Sequence, residues 1–345
     1  MTSTLHLVLN PTLLQAIHHS ISQNTQGQAY AVALSGGPDS AVLAVHAAAW
    51  AQQESKDIYF FHIHHGLQQV ADEWAEHVLH LGHLLQRPTW VKRVQVQARG
   101  DGIESAARRA RYTALSEMAQ QLNIDAILLG HHLGDQAETV LMRLLRGTGP
   151  AGMQAMQPKS RRLGQTYLRP FLNIARREIL QAAQDFSLHS GWQPVTDPTN
   201  VNPRYTRGII REHLAPVLEQ YWPHWQQALG RHAQQAAAQH QLLNEWADEL
   251  LERLDYRRVC PQTGRLESSF DLSAWRALDA AKQALVLRRF LQRDEQLMPT
   301  EARLREMMRQ LNQVHQRGTD RRLQIKHGRA FLRCIDGRVL LKRYD

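Results

Sequence analysis

A chain of 345 residues is long enough for two or three domains of roughly 100–200 residues each. Apolar side chains make up 43% of it, enough for packed cores, and no run of roughly 18 apolar residues occurs, so neither a disordered chain nor a membrane span is expected. The two cysteines, Cys260 and Cys334, stand far apart and in no C-x-x-C arrangement, which argues against a disulfide framework, a zinc site or an iron–sulfur site and for a reducing cytoplasm. Met1 to Gln26 has no Lys or Arg and no long apolar core, so no signal peptide is expected there. The net charge of +9 lies entirely in residues 251–345, which hold 21 Lys plus Arg against 12 Asp plus Glu. A neutral front part with a basic tail suggests that the tail binds nucleic acid; the alternative is a domain that is basic for no such reason.

In chain order, Tyr30 to Leu34 reads as a short apolar strand. Ser35-Gly36-Gly37-Pro38-Asp39-Ser40 is a tight turn, and an alanine-rich helix runs on to about Ala51. Strand, turn and helix in that order present backbone N–H groups and two serine hydroxyls at a helix N-terminus, an anion site. Gly36 and Gly37 let backbone approach a phosphate closely. The loop has no lysine, so it is not the G-x-x-x-x-G-K-[ST] phosphate loop. Ile58 to Ile63 is a second strand by its aromatic and β-branched content, and it ends in His62-Ile63-His64-His65-Gly66-Leu67. A helix follows from Ala71 to about Leu85, then a strand from Thr89 to Val96, a break at Asp101-Gly102, and a long helix from Ile103 to Leu122. Ala126 to Gly130 is a fully apolar strand of the kind found inside parallel sheets. The next helix is predicted from near Asp135 to Leu145, with Asp135 at the N-cap and Glu138 three residues on.

Alternating strands and helices predict right-handed βαβ units in an open parallel sheet. Ligands of such sheets sit at the carboxyl ends of the strands. Ser35–Ser40, His62–His65 and His131–Asp135 all fall at strand ends and so converge on one edge. His62 and His64 share a strand face and could ligate a metal, but third and fourth ligands are not evident. They are read as the nucleotide-facing end of the second strand, with a core or surface role left open. Asp39 and Asp135 are the obvious carboxylate pair for Mg²⁺, which takes one or two carboxylates plus substrate phosphates. Arg108 and Arg111 share a helix face, aimed either at phosphate or at solvent, and Glu104 stands four residues before Arg108. Arg146 to Arg162 reads as a basic, loop-rich stretch, followed by the short extended Tyr167-Leu168-Arg169-Pro170 and a helix from Arg176 to Asp185. Turn formers fill Asp197 to Pro203, and Arg207 and Arg211 precede a helix from Glu212 to Tyr221.

The Ser35–Ser40 loop has the form S-G-G-x-D-S and resembles the pyrophosphatase loop of the PP-loop ATPases. With His62–Leu67, Gly102–Tyr112, His131–Thr139, Arg146–Gly149 and Asp197–Arg211, residues 30 to 215 resemble the tRNA(Ile)-lysidine synthase family of PP-loop ligases. A weaker likeness continues after 265. The resemblance implies a doubly wound α/β domain of the PP-loop, adenine nucleotide alpha-hydrolase-like kind. It also implies two steps: ATP adenylates the C2 oxygen of the wobble cytidine in the CAU-anticodon isoleucine tRNA with loss of pyrophosphate, and the amine of free lysine then displaces AMP. By carry-over, Ser35, Gly36, Gly37, Pro38, Asp39 and Ser40 bind ATP, Asp39 and Asp135 hold Mg²⁺, and Arg111 contacts phosphate. Asp39, Arg111 and Asp135 are the expected catalytic set. Gly134, Asn202, Gly208 and Gln68 stand where many relatives have Asp, Asp, Asn and Arg.

Beyond these motifs, Trp225 to Leu254 reads as a long helix, and Leu272 to Leu291 and Thr300 to Val314 as helices of a small domain. Leu323 to Arg343 reads as short strands turning at Gly328 and Asp336-Gly337. Arg303, Arg305, Arg309, Arg317, Arg321, Arg322, Lys326 and Arg329 supply charge for RNA phosphates. The expected organisation is a PP-loop ATP-binding catalytic domain over 1–215, a helical linker over 216–255 and a small basic α+β tRNA-binding domain over 256–345. The further C-terminal domain of larger family members is not expected, and a homodimer is left open. A PP-loop tRNA thiolase is the runner-up, opposed by the absence of cysteine from residues 1–250. A non-catalytic tRNA-binding protein with a decayed ATP site is the third reading, motivated by Gly134, Asn202 and Gly208.

Overall fold

The computed structural model describes residues 9–66, 71–97, 102–195, 206–258, 267–294, 296, 298–314, 324–328 and 330–343. Leu67, Gln68, Asp101, Asp197–Pro203 with Asn202, Cys260, Arg317, Arg321, Arg322, Leu323 and Arg329 lie outside the described residues. The chain divides into two compact units, 1–237 and 238–345.

The first unit opens with helix α1 (Pro11–Ser22), in a region the sequence reading left without an element. Its signals are local: the Asn10 side chain accepts from Thr12 N–H at 2.9 Å, Pro11 follows the cap, and Leu13, Ile17 and Ile21 recur every four residues as its buried face. Strand β1 (Ala29–Ala33) leads into α2 (Pro38–Gln53), then β2 (Asp57–His64), α3 (Ala71–Leu84), β3 (Thr89–Arg93), α4 (Ile103–Gln121) and β4 (Ala126–Leu128). Helix α2 is buried all round from Ser40 to Ala51. That is why it lacks a polar stripe, and its alanines allow close packing on both sides. Helices α5 (Leu133–Leu145) and α6 (Pro150–Met153), strands β5 (Lys159–Arg162) and β6 (Gln165–Leu168), and helices α7 (Arg176–Ser190) and α8 (Thr206–Ile209) follow. A π-helical turn (Ile210–Leu214) then joins α8 to α9 (Ala215–Tyr221).

The six strands run in the order β3-β2-β1-β4-β6-β5. All pairs are parallel except β5 with β6, so the expected parallel sheet carries one antiparallel edge strand. The stretch read as loop, Lys159 to Arg162, pairs with Gln165–Leu168 through a two-residue turn in which Leu163 (φ 51°) and Gly164 (φ 78°) both take positive φ. A leucine in the left-handed region is not a turn signal, which is why the hairpin was missed. One face of the sheet packs on α1, α2, α3 and α7, the other on α4. Strand order reverses between β1 and β4, so the loops after these two strands flank one crevice.

Helix α10 (Trp225–Arg253) spans the division between the units. In the second unit, β7 (Ser269–Asp271), α11 (Leu272–Arg276), α12 (Ala280–Arg293), α13 (Glu301–Gln313) and strands β8 (Gln324–His327), β9 (Ala330–Ile335) and β10 (Arg338–Arg343) enclose their own core around Phe270, Trp275 and Phe290. The antiparallel sheet has the order β7-β10-β9-β8 and turns at Gly328 and Asp336-Gly337 as expected. The single helix expected from Leu272 to Leu291 is instead two, because Asp279 leaves the helix and caps the next one, accepting from Lys282 N–H at 2.9 Å.

Candidate active site

The turn after β1 is built around two serines. Ser35 N–H donates to Ser40 Oγ at 3.1 Å, the two hydroxyls lie 3.0 Å apart, and Ser40 Oγ donates to the Gly37 carbonyl at 3.1 Å. Gly37 is the N-cap of α2 and makes no side-chain cap. Gly36 sits at φ +93°, a conformation other residues avoid. The result is a loop cross-tied by its two serines whose helix end has no side-chain cap, and such an end favours an anion.

Across the crevice, the backbone after β4 comes very close. A Cβ on Gly130 would lie 3.0 Å from the Asp39 carbonyl oxygen and 3.2 Å from Ser40 N, so a side chain here would press on backbone. Helix α5 begins two residues before the sequence reading placed it. Its N-cap is His132, not Asp135: His132 Nδ1 accepts from Gly134 N–H at 3.0 Å and Asp135 N–H at 3.4 Å, while Asp135 Oδ2 accepts from His132 N–H at 3.2 Å. A histidine ring replaces the usual short capping side chain because Gly134 leaves room for it. A Cβ there would stand 2.9 Å from the ring's Cε1. The departure at Gly134 therefore has a local packing role in this chain.

This cap decides the chemistry of His132. With Nδ1 accepting two backbone hydrogens, the neutral ring carries its proton on Nε2. Nε2 faces Asp135 Oδ2 at 3.5 Å and Asp39 Oδ1 at 3.8 Å. Arg176 Nε also stands 3.8 Å from Asp39 Oδ1. Burial pushes the Asp39 carboxyl above its usual range, with neighbouring Asp135 adding to the rise and His132 and Arg176 opposing it. Asp39 Oδ1 is buried and accepts no hydrogen bond. For Asp135, burial is outweighed by His132, His131, the His132 N–H and Arg207, which hold the carboxyl below its usual range. Two carboxylates beside an uncapped helix N-terminus, one with an oxygen that no donor satisfies, suit a hard divalent cation carried with phosphates.

Arginines close the other side. Arg211, in the π-helical turn, binds Glu138 through two hydrogen bonds at 2.7 and 3.0 Å and reaches Asp135 Oδ1 at 3.2 Å. Arg207 lies 3.9 Å from Glu138 and donates to Thr139 at 3.3 Å. Glu138 is buried, so this charge cluster fixes both arginines against the first turns of α5.

The structure thus brings Ser35–Ser40, Asp39 and Asp135 together at the switch point. Arg111 is placed elsewhere on the strand-end edge, with its Nε 3.4 Å from His65 Nε2 beyond the end of β2. Burial and the Arg111 charge hold the His65 imidazole down at about 4. Arg108 lies over the Tyr112 ring, 5.1 Å from its centroid. His62 Nδ1 bonds to the Leu34 carbonyl at 2.9 Å and His64 Nε2 to Asp72 at 3.1 Å, so each ties β2 to a neighbour. Among the described residues, no group of three or more His, Cys, Asp or Glu is arranged to hold a metal ion. Sequence reasoning missed the roles of Gly130, His132, Glu138 and Arg176. Two signals were present: His131–Asp135 was marked as a strand-end segment, and the D-Q-A-E run was read as a cap with Asp135 also a metal ligand.

A PP-loop domain model matches residues 9–218, and a TilS substrate-binding domain model matches residues 270–340. The tRNA(Ile)-lysidine synthase of Bordetella bronchiseptica is 50% identical over 311 residues, covering 90% of this chain and 88% of the relative. The chain belongs to the tRNA(Ile)-lysidine synthase family. It is a ligase of that family with a PP-loop ATP-binding domain. The Haemophilus influenzae relative is 35% identical over 290 residues, covering 83% of this chain and 64% of that longer protein. Among solved structures, the U34-tRNA thiolase NcsA from Methanococcus maripaludis matches with a TM-score of 0.55 at 15% identity, over 65% of this chain and 76% of that one, a likeness of fold. Among the described residues, no helix of this family member is long and apolar enough to cross a membrane.

Proposed function

We propose that the chain ligates free lysine to C2 of the wobble cytidine in the CAU-anticodon isoleucine tRNA, forming lysidine in the cytoplasm. The observation that carries this reading is 50% identity across 90% of the chain to a relative named for that reaction. In the first step the cytidine C2 oxygen attacks the α-phosphorus of ATP and pyrophosphate leaves. In the second the lysine amine attacks C2, loses a proton, and AMP departs with the C2 oxygen.

The residues divide this work. The Ser35–Ser40 loop receives the phosphates at the α2 N-terminus. Asp39 and Asp135 would hold Mg²⁺, which would supply positive charge against the departing pyrophosphate. Arg111 contacts phosphate from the β2 edge, and Arg176 and Arg211 add positive charge beside the carboxylates. His132 keeps its Nε2 proton between Asp39 and Asp135, which limits repulsion when the site is unloaded. The working division is a catalytic domain over 1–215, a linker over 216–255 and an RNA-gripping basic domain over 256–345.

The test follows pyrophosphate release from Mg·ATP together with labelled lysine entering RNA. Label entering the CAU isoleucine transcript and not methionine tRNA is the expected result. Pyrophosphate release without lysine incorporation would leave the adenylating loop in place and overturn the nucleophile. Neither product, despite tRNA binding, would favour the non-catalytic reading.

A further inference from the structure

The segment following α7 lies directly across the phosphate loop. Gly191 ends α7 at φ +73°, and the chain then runs through Trp192, Gln193 and Pro194 to Val195. Val195 N–H donates to the Gly36 carbonyl at 3.0 Å. Its side chain covers the same residue: a Cβ on Gly36 would stand 2.9 Å from Val195 Cγ2 and 3.3 Å from Val78 Cγ2 of α3. The first glycine of the loop is therefore held between a strap, 191–195, and helix α3.

The strap is anchored to that helix. Trp192 is 2% exposed and stacks on His77 with centroids 4.5 Å apart and planes 18° apart. Trp192 Nε1 donates to the His77 carbonyl at 3.2 Å, and His77 Nε2 lies 2.5 Å from the Gln193 carbonyl. Ring stacking and two hydrogen bonds between the same two segments leave Val195 little freedom relative to α3.

This fixes the direction of a donor. The Gly36–Gly37 peptide is trans, so its carbonyl and its N–H point in opposite directions. With the carbonyl committed to Val195, the Gly37 N–H is turned away from the strap. Gly37 is the N-cap of α2, the residue whose amide opens the anion-binding helix end. A glycine pair without the strap could flip this peptide at small cost, since both residues tolerate either sign of φ.

We infer that the Trp192–Val195 strap is a positioning element of the nucleotide site, setting the Gly36–Gly37 peptide so that Gly37 N–H is presented to the terminal phosphates of ATP. Val195 acts through its backbone N–H and His77 through the anchor; neither touches the reacting atoms. The inference rests on the reading of Ser35–Ser40 as the phosphate loop. It goes further in naming a specificity for the β,γ-phosphates that AMP cannot use.

The experiment compares ATP and AMP affinities by calorimetry, on the full chain with Mg²⁺ present. Val195→Pro removes the N–H and Val195→Ala retains it. His77→Ala removes the stacked ring and the bond to the Gln193 carbonyl but keeps the backbone carbonyl that Trp192 Nε1 binds, and His77→Gln keeps a donor for the Gln193 carbonyl. Val195→Pro is expected to weaken ATP by about 10-fold or more, the loss typical of one charge-assisted hydrogen bond, with AMP affinity unchanged. His77→Ala should move the ATP-to-AMP ratio in the same direction, while Val195→Ala and His77→Gln stay near wild type. Should Val195→Pro fail to fold by circular dichroism, the His77 pair decides the question alone. Wild-type ratios in both loss variants would overturn the strap and leave the phosphate loop intact. A wild-type protein that binds ATP no better than AMP would overturn the phosphate-loop reading and the strap with it.

Discussion

His46 lies in the middle of α2, the helix that begins at the Ser35–Ser40 loop, and is 1% exposed. Its Nδ1 donates to the Val42 carbonyl at 2.8 Å and its Nε2 accepts from Asn10 N–H at 3.0 Å. The ring must be neutral to do both. Burial holds its pKa down at about 4 from an ordinary 6.5, against the smaller opposing effect of the Val42 carbonyl. A base with a depressed folded pKa is stabilising above its unfolded value, because there neither state binds the proton. As pH falls through 6.5 toward 4, the unfolded chain takes up a proton that the folded one refuses, and stability declines. Between about pH 7.5 and pH 5 the His46 contribution comes to about 2 kcal/mol. Charging the ring would also turn a donor against Asn10 N–H and release the cap of α1. The assay is hydrogen exchange read by mass spectrometry on peptides from α1 and α2 at the two pH values, corrected for intrinsic rates, in wild type and His46→Gln. The glutamine does not titrate, so its opening free energies should change less with pH, by about 2 kcal/mol. Equal pH dependence in the two proteins would refute the assignment, since His62, His65 and His131 remain in both.

The remaining expectations concern the site and the tail. Asp39→Ala and Asp135→Ala should each abolish ATP-dependent pyrophosphate release while tRNA binding survives; preserved turnover in both would remove the metal assignment. Gly130→Ala places a methyl 3.0 Å from the Asp39 backbone, which cannot swing aside, so melting should report a loss of about 1–3 kcal/mol together with weaker ATP binding. Arg211→Ala leaves the buried Glu138 without its two-point partner and should cost about 3 kcal/mol, the low end for a broken buried pair because Arg207 remains 3.9 Å away. Adding Glu138→Gln should recover part of that loss in thermal melts. Deleting 256–345 should weaken tRNA affinity and flatten its dependence on salt, and an unchanged salt slope would count against an RNA grip there.

The strand–loop–helix unit at Tyr30 to Ala51 and the parallel strands Ile58–Ile63 and Ala126–Leu128 were legible because local patterns determine them. Glycine and proline fix a turn, and a short apolar run can only be buried. The same is true of the C-terminal hairpins, where Gly328, Asp336 and Gly337 take positive φ as turn residues should. Strand order, and with it the meeting of Ser35–Ser40 with Asp135, was expected only because both segments follow strands. The crevice itself comes from β4 pairing with β1 across nearly a hundred residues of sequence.

Tertiary structure alone decided the start of α5 and the fate of its charges. In the sequence, Asp135 and Glu138 form a short capping box. In the fold a histidine ring takes the cap, because Gly134 gives it space and because Asp39 and Asp135 lie close to its free nitrogen. Glu138 then turns to Arg211, carried by a segment more than seventy residues later. Val195 over Gly36 is the same kind of fact. Residue types and local spacing determine elements and loops, since those depend on neighbours in the chain. Which charge answers which, and what presses on a glycine, depends on groups that only long-range packing brings within a few ångströms.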